Sequence, residues 1–112
     1  MLEALWSVEF GSNVGSIGAG VAVFETGRVL GGDSAFMYVG NYKTDSGVVH
    51  SEIRVTKYNN LSGMQSIFGP LTSFNLKVSG KADPKEMVLT GSVVEQPQLQ
   101  ITIKAVRRVE LP

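Results

Sequence analysis

The sequence contains no cysteine, which excludes a disulfide framework and every metal site that depends on thiolate ligands. Histidine is almost as scarce, since His50 is the only one. Structural and catalytic zinc sites need several imidazole or thiolate ligands, so we predict no bound metal and no cofactor. The absence of cysteine also fits a reducing compartment, and we expect a cytoplasmic protein.

Long apolar runs and an excess of one charge are also missing. No stretch approaches the roughly 18–20 apolar residues that cross a bilayer as a helix, and Met1–Trp6 contains an acid but no basic region of signal-peptide form. Ten basic residues balance ten acidic residues, so no overall field attracts nucleic acid or an anionic membrane. Lys104, Arg107 and Arg108 form a small basic cluster without interleaved aromatic residues, which indicates a solvated strand face. We predict no nucleic-acid partner and no membrane partner.

Recognisable catalytic motifs are absent as well. His50 shares the phase of Glu52 and Arg54 on a polar strand face, and no nucleophile-elbow pattern supplies a serine for it. The glycine-rich run from Gly11 to Gly20 lacks the Lys-Ser/Thr ending and the following helix of a phosphate loop, so it indicates a turn. We therefore predict that the protein is not an enzyme.

What the sequence does contain is the pattern of an all-β protein. Thirteen glycines against four prolines indicate many tight turns, and 112 residues are enough for one domain, spanning 1–112. Alternating apolar and polar residues predict eight strands, at 2–10, 20–25, 28–30, 36–43, 48–58, 74–78, 87–93 and 99–105. The spacing of about fourteen residues per strand and turn predicts an eight-stranded antiparallel up-and-down barrel. A two-sheet sandwich would use the same alternation and is the alternative.

Turn chemistry is concentrated between the third and fourth strands. Gly31, Gly32 and Asp33 predict a sharp corner in which Gly32 adopts a backbone conformation unfavourable for other residues and Asp33 bonds to the following amides. Glycines inside strands, at Gly40, Gly80 and Gly91, predict bends of a strongly coiled sheet.

One segment, 59–70, interrupts the β pattern. Met64, Ile67 and Phe68 stand at positions i, i+3 and i+4, Asn60 or Ser62 offers a cap, and Gly69-Pro70 offers a stop. This spacing predicts a short helix of one to two turns whose apolar side must cover another part of the protein.

Two features of the predicted barrel bear on function. The second and fourth strands are apolar on both faces, so one apolar set must look outward, and we expect a homodimer to cover it. On the second strand either Val21 and Val23 or Ala22 and Phe24 could face out. We predict that the dimer interface comprises Ala22, Phe24, Met37 and Val39.

The barrel interior is either filled by side chains or holds one small apolar ligand. In the second case the lining would be Phe36, Tyr38, Tyr42 and Phe74.

Several motifs together resemble those of the GrlR-like family, small bacterial proteins typified by a negative regulator of type III secretion. The shared residues are Trp6-Ser-Val-Glu-Phe10, Gly18, Gly20, the corner from Gly27 to Asp33, Tyr38-x-Gly40-x-Tyr42 and Ser66-x-Phe68-Gly69. The resemblance implies a lipocalin-like β-barrel with a short helix. It also implies a homodimer that sequesters a transcriptional activator by protein binding and does not bind DNA.

The resemblance breaks down at one loop. The typical member recognises its partner through an acidic Glu-Asp-Glu-Asp loop, and the matching partner-binding loop here is Lys43, Thr44, Asp45, Ser46 and Gly47, with a single acid. One exposed charge does not reproduce the field of four, so the fold and the dimer carry over better than the partner. We therefore expect a non-enzymatic regulator, with a carrier of a small apolar ligand as the alternative. A cavity of about 300 Å³ or more would favour the carrier.

Overall fold

Eight antiparallel strands close into a single barrel in the computed structural model, which describes residues 2–59 and 65–112. Each strand pairs with the next along the chain, and the last pairs with the first, as in an up-and-down barrel. The predicted barrel is therefore confirmed, and the sandwich is excluded. The strands are β1 Ala4–Ser12, β2 Ile17–Glu25, β3 Arg28–Gly32, β4 Phe36–Asp45, β5 Val48–Lys57, β6 Ser73–Lys81, β7 Glu86–Val93 and β8 Gln100–Val109.

Alternation along each strand separates the core from the solvent. In β8, Ile101, Ile103 and Ala105 are buried while the polar residues between them are exposed, as predicted. The same period places Ala4, Trp6 and Val8 of β1 inside the barrel. One closed sheet therefore supplies the whole core from the inward side chains of its eight strands.

Two hairpin turns have the backbone that their residues predict. Thr26 and Gly27 join β2 to β3 with φ angles of 52° and 78°, and Ser46 and Gly47 join β4 to β5 with φ angles of 52° and 81°. Positive φ at both central residues gives a turn whose twist matches that of the flanking strands. The Glu3 carboxylate also accepts a hydrogen bond from the Thr26 amide at 2.8 Å, which supports the less favourable residue of the first turn.

The corner between β3 and β4 is held by Asp33, as predicted. Its Oδ1 accepts hydrogen bonds from the amides of Ala35 and Phe36 at 2.9 and 2.8 Å. The prediction for Gly32 is wrong, because Gly32 is not among the residues with positive φ. Space is the constraint there: a Cβ on Gly32 would lie 2.9 Å from the Phe36 carbonyl oxygen. At Gly31 the Val21 carbonyl oxygen would be only 2.1 Å away.

The predicted helix is absent from the described residues. Its Asn60–Met64 part lies outside them, and the prediction is wrong for Ile67 and Phe68, which occupy a turn. Ser66 and Gly69 close that turn through a 3.0 Å backbone hydrogen bond, and Gly69 takes a φ of 88°. A tight turn brings both apolar side chains onto the end of the barrel, where both are buried. No helix in the described part of the chain is long and apolar enough to cross a membrane.

Candidate functional site

A cavity of about 240 Å³ lies inside the barrel. It runs from the end where the β1–β2 and β3–β4 connections meet the turn at residues 65–70 inward to Phe24 and Val29, near the β2–β3 turn. The walls are mainly apolar, and the aromatic side chains among them are Phe10, Phe24, Phe36, Tyr38, Phe68 and Phe74. The interior is therefore not completely filled by side chains, although the space is smaller than the roughly 300 Å³ expected of a carrier for a drug-sized ligand.

Three of the four residues predicted to line a cavity do so: Phe36, Tyr38 and Phe74. Tyr42, which lies four residues after Tyr38 on β4 and beside the β2–β3 turn, does not line the cavity. Its ring packs 5.0 Å from that of Phe24, and its amide donates to the Gly27 carbonyl in the β2–β3 turn. Burial raises the pKa of the Tyr42 hydroxyl.

Sequence reasoning missed Phe10, Phe24 and Phe68 as lining residues. A signal existed for Phe10, which shares the alternation phase of the buried Trp6 in β1. None existed for Phe68, because its position depends on how the 65–70 turn folds over the barrel end. There its ring meets that of Phe74 edge to face at 5.5 Å.

The polar feature of the cavity is the pair formed by Asp33 and Tyr38. The Tyr38 hydroxyl donates a hydrogen bond of 2.5 Å to Asp33 Oδ2, and the Phe10 ring packs edge to face against the Tyr38 ring at 6.3 Å. Burial raises the pKa of Tyr38 well above its usual range, and the hydrogen bond to Asp33 raises it further. Gly20 makes room for the pair, since a Cβ there would lie 2.8 Å from the Tyr38 hydroxyl.

We expect this pair to make the stability of the protein sensitive to alkaline pH. Below a pH of about 10, Tyr38 is protonated in both the folded and the unfolded chain, so it makes its full contribution to the free energy of unfolding. Above that pH the unfolded chain releases the proton while the folded chain retains it, because the folded pKa is raised. The free energy of unfolding should therefore fall more steeply in the wild type than in Tyr38→Phe between pH 10 and pH 11.5. Urea unfolding across this range measures it, and parallel pH profiles would contradict the assignment.

A second candidate site lies on the outside of the barrel. The register aligns Val109, Leu5, Val23, Leu30 and Val39 in one row across β8, β1, β2, β3 and β4. In the next row Val21 lies opposite Gly32, which lies opposite Met37. We call these seven apolar residues the outer apolar face: Leu5, Val21, Val23, Leu30, Met37, Val39 and Val109.

The outer apolar face corrects half of the predicted dimer interface. Met37 and Val39 point outward and are 43% and 50% exposed, as predicted. Ala22 and Phe24 are buried inside the barrel, so they are not part of its outer surface. The alternative pair, Val21 and Val23, faces out instead, because the large Phe24 ring is buried in the barrel interior together with Ala22, which lies on the same side of β2.

The predicted partner-binding loop is a fully exposed hairpin tip. Lys43, Thr44 and Asp45 end β4, and Ser46 and Gly47 form the turn. The Ser46 hydroxyl donates to Asp45 Oδ1 at 3.2 Å, and no ion pair of the described residues includes Asp45. The loop therefore offers one free acid and one lysine for contact with a partner.

The other charged residues singled out in the sequence have ordinary surface partners. His50 is exposed and lies opposite Lys43 in the sheet. Lys104 forms an ion pair with Glu86 at 3.5 Å, and Arg108 donates to the Ser7 hydroxyl at 2.7 Å. Within residues 2–59 and 65–112, no three histidine or acidic side chains cluster as metal ligands would.

Comparisons with known proteins show the fold and identify no family. No protein-family model matches the chain, and no curated protein matches it either. Among solved structures, a redesigned β-barrel is similar, with a TM-score of 0.50 and 12% sequence identity over 96% of this chain and 91% of that one. At this identity the likeness shows the barrel fold alone.

Proposed function

We propose that this protein is a non-enzymatic regulator that works as a homodimer and acts by binding another protein, in the manner of the GrlR-like family that its motifs resemble. The observation that carries the proposal is the outer apolar face. Ten large apolar side chains are exposed in the part of the chain that the structure describes, and five of them belong to this one face. Scattered apolar residues are normal on a protein surface, whereas a contiguous patch marks an interaction site.

A second copy of the chain is the occupant that fits the face best. The rim carries both charge signs, with the Glu25–Arg28 ion pair beyond one edge, Arg54 beside Val39 on β5, and Arg108 on β8. In a twofold contact the same patch meets itself, so each apolar row is covered in both subunits and basic rim residues can face acidic ones. The zero net charge removes long-range repulsion between the copies.

The width of the outer apolar face suits the centre of a dimer contact. A standard interface buries about 800 Å² on each partner, with an apolar centre and a polar rim. The outer apolar face spans five strands, or roughly 20 Å at the usual strand spacing. It supplies the apolar centre, and the surrounding charged residues supply the rim.

The protein partner would bind beside this contact. The 43–47 loop begins four residues after Val39 on the same strand, which is about 13 Å at the rise of an extended chain. A dimer built on the outer apolar face therefore carries two copies of the loop at its periphery. Such a dimer would sequester a transcriptional activator through its two loops. Because each loop has a single acid, binding of the activator would depend less on acidic residues than it does in the typical family member.

A charge placed in the outer apolar face tests the dimer. Val39→Glu should bury a carboxylate in the contact, where desolvation of the charge outweighs its attraction to Arg54, its neighbour on β5, and raises the dimer dissociation constant about 100-fold or more. Val88→Glu is the matched control, because Val88 is also an outward valine with nearly the same exposure, 51% against 50%, but lies on β7 outside the face. Sedimentation velocity at tens of micromolar should give a wild type and a Val88→Glu variant of twice 12.0 kDa, and a folded Val39→Glu monomer.

Three results would contradict this proposal. A wild type that sediments at 12.0 kDa at these concentrations is not a dimer, and a Val39→Glu variant that still sediments as a dimer places the contact elsewhere. Binding of the wild type to duplex DNA at physiological salt would contradict the protein-binding mechanism.

A further inference from the structure

We propose that the barrel cavity binds a small apolar amine, whose hydrocarbon body lies among the aromatic walls and whose ammonium group lies against Asp33. This inference concerns the inside of the barrel and goes beyond the proposed regulatory function, which rests on the outside. It is carried by three observations: the size of the cavity, the charge of its lining and the hydrogen bonds of Asp33.

Size limits the ligand to about eight to twelve non-hydrogen atoms. An apolar cavity of about 150 Å³ stays dry and takes benzene. The cavity here has about 240 Å³, so it has room for a ring with a short side chain. Long-chain fatty acids and ligands of drug size exceed this space.

Charge selects the kind of polar group on the ligand. Among the described residues that line the cavity, Asp33 is the only charged one, and no lysine, arginine or histidine accompanies it. The ion pairs Glu25–Arg28 and Glu86–Lys104 lie elsewhere. A carboxylate ligand would therefore meet a negative charge without compensation, while an ammonium group would supply the missing counter-ion.

The hydrogen bonds of Asp33 leave room for such a group. A carboxylate has about four lone-pair sites. Three are used in the structure, two on Oδ1 by the amides of Ala35 and Phe36 and one on Oδ2 by the Tyr38 hydroxyl. No donor from residues 2–59 or 65–112 takes the fourth, on Oδ2, so it is open to an N–H donor. Because three bonds already fix the carboxylate, it does not need to reorganise to receive a ligand.

The position of Asp33 fits an amphipathic ligand. The residue lies at the β3–β4 corner next to Ser34, and both Ser34 and Gln65, which also line the cavity, are exposed. The polar end of the cavity is thus its solvent side, and the apolar walls lie deeper in the barrel. An amine entering with its ring first would bury the ring and keep its ammonium group partly hydrated.

Three probes of similar size test the proposal by isothermal titration calorimetry at pH 7 and low salt. Phenethylamine carries the ammonium group, ethylbenzene carries no polar group, and phenylacetate carries a carboxylate. We expect phenethylamine to bind at least about 10-fold more tightly than phenylacetate, with ethylbenzene between them. Equal affinities for the amine and the acid, or no binding of any probe at millimolar concentration, would overturn the proposal.

Two variants separate recognition of the charge from occupancy of the cavity. Asp33→Asn keeps an Oδ1 acceptor for the two amides, so we expect it to lose about 10-fold in affinity for phenethylamine while ethylbenzene still binds as in the wild type. Unchanged amine affinity in this variant would overturn the role of Asp33. Ala22→Leu fills the cavity from β2 and should abolish binding of all three probes, whereas Val88→Leu on the outer surface should change nothing. Retained binding in Ala22→Leu would place the ligand outside the cavity.

The Val39→Glu variant distinguishes this site from the dimer. We expect it to bind phenethylamine with the affinity of the wild type, because Val39 does not line the cavity. Loss of amine binding on dissociation of the dimer would contradict a site contained within one barrel.

Discussion

Gly91→Val should lower the free energy of unfolding by about 3 kcal/mol or more, a large share of the 5–15 kcal/mol that typically separates folded from unfolded states. A Cβ on Gly91 would lie 1.9 Å from the Lys77 carbonyl oxygen and 2.8 Å from the Val78 Cα. These are backbone atoms of β6, where Val78 is the ladder partner of Gly91. Relief of the clash requires β6 and β7 to separate, which breaks hydrogen bonds of the closed sheet.

Gly11→Ala is the control for this prediction. Gly11 is also a glycine within a strand, but the nearest atoms to its added Cβ lie at 3.8 Å, an ordinary contact. We expect its free energy of unfolding to stay within about 1 kcal/mol of the wild type. Urea unfolding followed by circular dichroism compares the two variants, and equal stabilities would mean that the strands do not approach so closely at Gly91.

Trp6→Ala should cost about 3–5 kcal/mol, because it removes the largest fully buried side chain of the described core. The indole has no exposed surface, and its ring packs 5.8 Å from that of Phe24. Its Nε1–H donates a 2.9 Å hydrogen bond to the Leu2 carbonyl, and the Arg107 guanidinium carbon lies 6.0 Å from the ring centroid. The substitution therefore removes packing, a hydrogen bond and a cation–π contact together.

Two further variants show how much of this loss of stability comes from the buried indole and its hydrogen bond. Trp6→Phe keeps an aromatic ring but leaves the Leu2 carbonyl without its donor, so we expect an intermediate loss of about 1–3 kcal/mol. Val88→Ala, at an exposed valine, should cost less than about 1 kcal/mol. Thermal unfolding by calorimetry ranks the three, and a Trp6→Ala variant as stable as Val88→Ala would refute the packing of the core around the indole.

The two proposed sites use opposite faces of the same strands. In β2, the inward Ala22 and Phe24 line the cavity while Val21 and Val23 belong to the outer apolar face. In β4, the inward Phe36 and Tyr38 alternate in the same way with outward apolar residues. Each site can thus be removed without the other, since Val39→Glu acts on the outside and Asp33→Asn on the inside. Assays with this pair of variants will show which site a cellular function depends on.

Local patterns in the sequence determined most of the fold. Strict alternation in β8 predicted Ile101 and Ile103 inside the barrel, because a strand with one apolar and one polar set has only one stable orientation. Thr26-Gly27 and Ser46-Gly47 predicted their hairpins, because such turns require positive φ that glycine adopts readily. Asp33 predicted its own corner through hydrogen bonds to amides only two and three residues away. All of these interactions are local, so neighbouring residues are sufficient to specify them.

Tertiary structure alone decided what depends on distant parts of the chain. Both residue sets of β2 are apolar, so their period could not show that Phe24 faces the core. Ile67 and Phe68 have helical spacing, yet they form a tight turn, and their side chains are buried at the end of the closed barrel. The outer apolar face joins Leu5 to Val109 only because β8 closes on β1. The cavity likewise exists because inward side chains from many strands do not completely fill the interior, a property of the closed sheet that no local pattern contains.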